Sequence, residues 1–443
     1  MAYDPELDLL YFGVGNGTPW NQEIRSPGGG DNLFLSSIVA VKPDTGDYVW
    51  HYQTTPGETW DYTATQHLIL AELNIAGKQR SVIMQAPKNG FFYVLDRATG
   101  EFISAQNYTK VSWASSIDPE TGRPVEEPDA RYTDGEPVLV WPHPLGGHNW
   151  HPMAYHPGEN LVYIPAFEAG MLYAPEADWK PDAARGFNVG FDLSAGDLPP
   201  DMGIRREVAG TVSGKLIAWD PVAKEARWTV EHPGPWNGGL LATGGGLVFQ
   251  GNQQSEFSAY NATDGEKLWS FAAQTGVVAP PITYTVDGVQ YVAVLAGWGG
   301  AFAITADGAL IDDLAPVKNI SRLLVFRLGA DGELPAEPEL AALPLDPPPS
   351  RASGETIALG GEKYARYCSV CHAPAAVGST VLPDLRRSGT LSNAASWQAV
   401  VREGILQDRG MASFSESLSE SEADAIRAYV IHRANEDKAG GLN

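Results

Sequence analysis

The hydrophobic and polar positions along this chain fall into two regimes. Through most of its length, apolar residues come in short runs or in alternation, as in Ser36 to Val41, Arg80 to Gln85, Gly90 to Leu95, Leu247 to Gly251 and Gln290 to Leu295. That is the signature of strands. Pro-Asp-Thr-Gly and Ala-Thr-Asp-Gly lie between such runs. These are turn sequences in which Gly supplies a positive φ. Past residue 350 the pattern becomes helical. Glu355 to Tyr367 sets Ile357, Gly361, Tyr364 and Ala365 on one face. Ser417 to Asn435 opens with Ser and Glu, then carries Ala425, Ile426, Tyr429 and Val430 at helical spacing.

The strand region repeats itself. AVKPDTGDYVW ends at Trp50, AWDPVAKEARW at Trp228 and AYNATDGEKLW at Trp269, while a degenerate copy, VLDRATGEFIS, ends at Ser104. A second repeat links MAYDPELDLLYFGVGN, with Tyr11, to MAYHPGENLVYIPAFE, with Tyr163. The unit is a β-hairpin that puts a Trp at a fixed place. Trp50 and Ser104 are 54 residues apart, and Trp228 and Trp269 are 41 apart. The 124 residues from Ser104 to Trp228 leave room for one hidden unit plus long loops. Units of about 40–60 residues built of strands suggest propeller blades, each docked on its neighbour through the indole. A β-sandwich with accidental turn similarity is the rival.

Composition supports strands and turns. The 443 residues include 48 Gly, 33 Pro, 13 Trp and 17 Tyr, and 43 % are hydrophobic, enough for a core. The formal net charge of −24 argues against a nucleic-acid partner or an anionic membrane surface, and suits a basic partner. The first residues lack the basic and apolar regions of a secretory signal. Val289 to Ala306 is the most membrane-like stretch, but Gln and three glycines interrupt it. A strand pair with a Gly turn is the better reading. The Pro-rich segment Leu343 to Arg351 reads as a stiff linker. The expected architecture is an all-β propeller over residues 1–340, a linker over 341–352 and a small all-α domain over 353–443.

The helical region carries the most specific motif, Cys368-Ser-Val-Cys371-His372. Two thiols at this spacing can each add to a haem vinyl group, and the adjacent His reaches the iron. Cys368 and Cys371 are the only cysteines, which excludes a disulfide scaffold. A zinc site would want further ligands nearby, and a redox C-x-x-C would want a βαβ setting. Met411 is the only Met after the motif and is the expected sixth ligand, with His432 as competitor. Leu382-Pro383-Asp384-Leu385 is the expected haem-edge loop. Together these look like a class I cytochrome c.

Several strand-region segments then acquire meaning. They are Gly15-Asn16-Gly17-Thr18-Pro19-Trp20, Gly30-Asp31-Asn32-Leu33-Phe34, Ser36-Ser37-Ile38, Pro56-Gly57-Glu58-Thr59-Trp60-Asp61-Tyr62, Ala86-Pro87-Lys88-Asn89-Gly90 and Trp236-Asn237-Gly238-Gly239. With a cytochrome c fused behind them, they resemble the pyrroloquinoline quinone (PQQ)-dependent quinohaemoprotein alcohol dehydrogenases over essentially the whole chain. The resemblance implies a calcium ion against PQQ, with Asn16 and Asp61 among its ligands. Asp61 would also be the general base, Lys88 the contact to the quinone oxygens, and Trp236 and Asn237 a further cofactor-contacting pair. Gly147-His148-Asn149-Trp150 also resembles a family segment, without an assigned role, and Asp31 and Asp44 read as turn residues.

The resemblance implies oxidation of primary or secondary alcohols, with a hydride passed to the quinone and electrons onward through haem c. The outer acceptor would be a cupredoxin, a cytochrome c, or a membrane quinone through a partner subunit. The expected location is the periplasm, with inner-membrane association. The chain starts inside the family pattern. Earlier blades, a vicinal Cys-Cys ring, a calcium-ligating Glu and a Trp over PQQ are expected upstream, which leaves roughly five of about eight blades here. Two other readings stand beside this one: a non-catalytic c-type electron carrier whose incomplete propeller holds no PQQ, and a propeller that only binds partners.

Overall fold

A computed structural model of the chain describes residues 1–181, 188–192, 195, 208, 210–299, 319–338, 343–378 and 382–440. The later part of the apolar stretch, from residue 300 to 306, lies outside them, as do linker residues 341–342.

The first sheet holds β1 (Ala2–Asp4), β2 (Leu9–Gly13), β3 (Ser37–Val41) and β4 (Tyr48–Gln53), and α1 (Gln22–Arg25) sits in the β2–β3 connection. The second holds β5 (Ile69–Ile75), β6 (Lys78–Gln85), β7 (Phe91–Asp96) and β8 (Phe102–Asn107). Two small pairs follow: β9 (Ala114–Ile117) with β10 (Pro124–Glu126), and β11 (Val138–Val140) with β14 (Met171–Tyr173). The third large sheet is β12 (Ala154–His156), β13 (Leu161–Glu168), β15 (Ser213–Asp220) and β16 (Glu225–His232). The fourth is β17 (Leu240–Ala242), β18 (Leu247–Gly251), β19 (Glu256–Asn261) and β20 (Lys267–Ala272). The fifth is β21 (Ile282–Val286), β22 (Val289–Ala296) and β23 (Arg322–Arg327). Every large sheet is an antiparallel meander, the form of a propeller blade.

One expectation changes here. No additional four-stranded sheet occurs among the described residues between Ser104 and Trp228. Among the described residues the two small pairs lie in that interval, and the sheet that carries Trp228 already contains the Tyr163 repeat. Of the apolar stretch, the described residues form β22, which pairs with β21 before it and with β23 beyond the stretch; the expected partner strand within the stretch falls on residues 300–306, outside the described residues.

Apolar clusters between successive sheets form the core. Tyr11, Ile38 and Trp50 of the first meet Ile83 and Leu95 of the second. Met84, Phe92 and Val94 of the second meet Val162, Ile217 and Trp219 of the third. The Tyr and Trp repeats meet in one device. Tyr11 Oη donates to Arg97 O at 2.8 Å, and Trp50 Nε1 to the same oxygen at 3.3 Å. Tyr163 and Trp228 do the same to Ala262 O, at 2.8 and 3.1 Å. Each indole covers the turn glycine of the next sheet, Gly100 or Gly265, where a Cβ would lie 2.6 Å from a ring atom.

The C-terminal region is helical: α2 (Gly354–Tyr367), α3 (Ser369–His372), α4 (Ala394–Val401) and α5 (Glu420–Ala439). Ser353 caps α2, and Ser419 with Glu422 forms a capping box on α5. Tyr364, Cys368, Leu391, Trp397, Ile426 and Val430 form its core. The Pro-rich segment lies along this domain. Leu345 is buried, Arg387 Nη1 donates to Leu343 O at 2.5 Å and Asn435 Nδ2 donates to Pro348 O at 2.8 Å. No helix among the described residues is long and apolar enough to cross a membrane.

Candidate active site

Residues 54–60 leave β4 and run through the interior. Backbone groups in such a segment lose water and need other partners. Here side chains supply them. Seven consecutive carbonyls, Pro56 to Tyr62, each accept from a side chain: Arg131 for Pro56 and Gly57, Arg25 for Glu58, Tyr132 for Thr59, Tyr173 for Trp60, Lys88 for Asp61 and Ser36 for Tyr62. Inside the turn, Glu58 Oε1 accepts from Trp60 N at 2.6 Å and from Tyr62 N at 2.7 Å. Trp60 and Tyr62 pack fully buried with Trp113. The loop therefore behaves as a rigid part of the core.

At its tip Asp61 adopts φ +68°, a left-handed conformation that Asp tolerates better than most residues. Lys88 Nζ donates to Asp61 Oδ2 at 2.9 Å and to Asp61 O at 3.0 Å. Burial pushes the Asp61 carboxyl above the usual range, and Lys88 partly offsets this. His143 lies near enough to act in the same direction as Lys88. Lys88 follows β6 in a turn held by Asn89, whose side chain reaches Thr54 O, Thr55 Oγ1, Tyr93 Oη and Phe91 N. A Lys in a Pro-Lys-Asn-Gly turn is ordinarily solvated; this one is buried. Gly146, at φ +83°, lets the backbone close over it, since a Cβ there would lie 2.5 Å from Lys88 Cγ.

Asn16 stands on the rim just past β2. The preceding backbone is pinned to the Asp61 side of the site by Ala64 N donating to Val14 O at 3.1 Å. Its Nδ2 donates to Gly17 O, which leaves Oδ1 as an oxygen donor. Trp236 and Asn237 are both buried. Trp236 packs edge-on against Phe167 and His151. Phe167 N in turn donates to Gly147 O, and Gly147 N to Lys88 O, so one backbone path ties Trp236 to Lys88. Asn237 Nδ2 donates to Gly234 O, and its Oδ1 is buried without a partner. Of the segment Gly147 to Trp150, His148 bridges Ala86 O and His151 O. Asp31 is more than a turn residue: Arg123 grips both its oxygens, at 2.9 and 2.7 Å.

These residues suit an anionic quinone and a hard cation in donor chemistry. Lys88 supplies a buried ammonium beneath the glycine-cleared backbone at Gly146, and Asn237 a buried, unpaired amide oxygen. For calcium, Asn16 and Asp61 offer two oxygen side chains of the six to eight ligands calcium takes. No group of three His, Cys, Asp or Glu that could hold a metal occurs among the described residues.

The helical domain suits haem. Cys368 and Cys371 are free thiols, and burial pushes Cys368 up to about 12. His372 is buried, and its Nδ1 faces Pro383 O at 3.3 Å, which leaves Nε2 for a metal. The oxygen comes from the expected haem-edge loop. Tyr364 Oη donates to Ala373 O at 2.6 Å and fixes the end of the motif. Met411 lies in the loop before α5, its N donating to Leu406 O. His432 sits on the surface of α5, with Nε2 3.3 Å from Glu436.

Sequence reasoning gave Glu58, Arg25 and Arg131 no part. The one hint was a second carboxylate, Glu58, three residues before Asp61 in the run Thr54 to Tyr62.

Fold and motif together define propeller blades joined to a c-type cytochrome domain. Residues 1–126 and 206–292 match the family described as glucose/ethanol/alcohol dehydrogenase, β-propeller domain. Residues 355–430 match cytochrome c oxidase, cbb3-type, subunit III. The chain is 50 % identical to quinohemoprotein alcohol dehydrogenase ADH IIB of Pseudomonas putida, over 99 % of this chain and 62 % of that protein. It is 45 % identical to the dehydrogenase subunit of an alcohol dehydrogenase (quinone) of Komagataeibacter europaeus, over 98 % of this chain and 59 % of that one. The crystal structure of quinohemoprotein alcohol dehydrogenase ADHIIG from Pseudomonas putida HK5 superposes with a TM-score of 0.93, 45 % identity, and coverage of 99 % of this chain and 64 % of that one. Over nearly its whole length the chain is similar to PQQ-dependent quinohaemoprotein alcohol dehydrogenases. It spans about three-fifths of the length of the curated relatives it matches.

Proposed function

We propose that this chain oxidises primary or secondary alcohols to aldehydes or ketones and sends the electrons through haem c to an external acceptor. The observation that carries the reading is the buried Lys88–Asp61 pair on a loop whose carbonyls are all engaged. A carboxylate so placed is a stronger base than a solvated one, and it costs no reorganisation at the moment of reaction.

Bound PQQ and calcium supply a hydride acceptor and a Lewis acid. Lys88 is the residue for the quinone oxygens, and Asn237, with Trp236 behind it, for the rest of the cofactor. Asn16 and Asp61 would supply oxygen ligands to calcium. Asp61 takes the hydroxyl proton of the alcohol, and Lys88 holds its carboxylate in place. Cys368 and Cys371 would tether haem c, and His372 and Met411 would bind its iron, which supplies one-electron transfer. The acceptor is a cupredoxin, a cytochrome c, or a membrane quinone reached through a partner subunit. The Komagataeibacter relative's name as one subunit of a quinone-dependent enzyme supports the last. Covalent haem attachment and calcium support a periplasmic site of action beside the inner membrane, which cell fractionation tests.

The functional test is dye-linked alcohol oxidation by the purified chain after addition of PQQ and Ca²⁺, with the haem spectrum followed in the same cuvette. Alcohol-dependent haem reduction that needs PQQ supports the reading. A haem spectrum without PQQ-dependent turnover supports the electron carrier instead.

A further inference from the structure

The mechanism above gives no part to a buried acid on the very loop that carries Asp61. Glu58 is fully buried, three residues before Asp61, on the loop clamped by Arg25 and Arg131. Its Oε1 takes two amide hydrogens, from Trp60 and Tyr62, the residues on either side of Asp61. Its Oε2 has no partner. A buried carboxyl costs free energy, and an apolar residue of equal size is ordinarily the stabler choice there. Neither a β-strand nor a helix supplies partners for these two amides. Without Glu58 the turn has no internal reason to hold Asp61 at φ +68°.

We infer that Glu58 is a positioning residue for Asp61: its carboxyl gathers the Trp60 and Tyr62 amides and so fixes the turn that sets Asp61 against Lys88. The role follows the geometry of an Asx-type turn extended by one methylene, in which a side-chain oxygen replaces a backbone carbonyl. The oxygen that accepts is what matters, so a neutral amide can stand in for the acid. The catalytic consequence rests on the function proposed above; the geometric one does not.

Two variants of the full chain separate the possibilities. Glu58→Met keeps the volume and removes both acceptors. Glu58→Gln keeps one acceptor oxygen. Acetic anhydride labelling of Lys88, read by peptide mass spectrometry without added PQQ, reports whether Asp61 still covers the ammonium. Circular dichroism confirms the fold of each variant. In E58M the labelling rate of Lys88 rises by about tenfold or more, a lower bound from the cost of breaking a buried ion pair. With PQQ, Ca²⁺ and haem in place, its kcat falls about 100-fold, the scale of a misplacement of roughly 1 Å, with KM little changed. E58Q stays within about threefold of the parent in both readouts, as a variant that keeps the accepting oxygen should. Parent-like labelling in a folded E58M overturns the inference, and so does an E58Q as defective as E58M. If the parent shows no PQQ-dependent turnover, the proposed function fails, while the labelling still decides the role of Glu58.

Discussion

Lys88 Nζ donates to two oxygens of one residue, the Asp61 carboxylate at 2.9 Å and the Asp61 carbonyl at 3.0 Å. The second bond makes the first directional, because it fixes the ammonium relative to the backbone that bears the acid. Lys88 lowers the Asp61 pKa against the upward push of burial. Replacing Lys88 by Met therefore moves the acid limb of the pH–rate profile to higher pH, as well as slowing turnover. Asp61→Asn abolishes PQQ-dependent turnover and leaves the haem spectrum intact. The check is kcat/KM for an alcohol against pH in both variants. An acid limb that stays in place or moves down in K88M contradicts the pairing.

Stability carries its own pH signature. Burial, with Asp61 as a nearby like charge, pushes Glu58 up to about 8. A folded-state pKa above the unfolded value stabilises the fold at low pH, and that contribution is lost as pH rises through the folded value. The window runs from the ordinary carboxylate range, about 4.3, up to about 8. Gln does not titrate there. E58Q therefore gains stability relative to the parent between pH 5 and pH 8, by at most about 1.4 kcal/mol per pH unit. Thermal melts of both proteins at the two ends of that window measure it.

The docking of Trp50 on Gly100 invites a double-mutant cycle. Trp50→Ala empties a core site and costs about 3–5 kcal/mol. Gly100→Ala adds a Cβ at φ +75° that would lie 2.6 Å from Trp50 Cε3, and costs about 1–3 kcal/mol. In the W50A background the same Ala has space and costs less, because only the backbone strain remains. Urea unfolding of the four proteins gives the coupling term, and simple additivity would show that ring and glycine do not press on each other.

For the haem domain, Cys368→Ala and Cys371→Ala together leave haem extractable into acidic organic solvent, whereas Met411→His keeps it covalent. Exchanging a thioether for an imidazole lowers the reduction potential, on the order of 0.1 V within the roughly 0.8 V that axial ligands span. Spectroelectrochemistry reads the change. An unmoved potential in M411H would assign the sixth position to another residue.

Which of these features the sequence disclosed follows from the kind of bond each makes. Trp50, Trp228, Tyr11 and Tyr163 recur at fixed offsets from turn sequences, so their shared docking role was readable as a repeat. Cys368, Cys371 and His372 are local in sequence and chemically specific. The interval from Ser104 to Trp228 misled, because length alone cannot distinguish an extra sheet from β9, β10, β11 and β14 strung on loops. Glu58 stayed hidden because its partners are backbone amides, which leave no side-chain signature. Trp236 matches a cofactor contact by motif, and the edge-on packing of its ring against Phe167 and His151 is one no spacing rule reveals.

The stretch of chain leading into the proline-rich segment is moored at both of its ends. Gln274 Nε2 donates to Pro335 O at 3.2 Å, next to β20, while Arg387 takes Leu343 O on the haem side. These two moorings are eight residues apart in the chain. Eight residues span at most roughly 28 Å, so the leash on the cytochrome is short. A tether of that length presents its cargo at an effective concentration on the order of millimolar. Reducing equivalents leaving the sheets would thus meet a haem that diffusion in the surrounding medium can neither dilute nor replace.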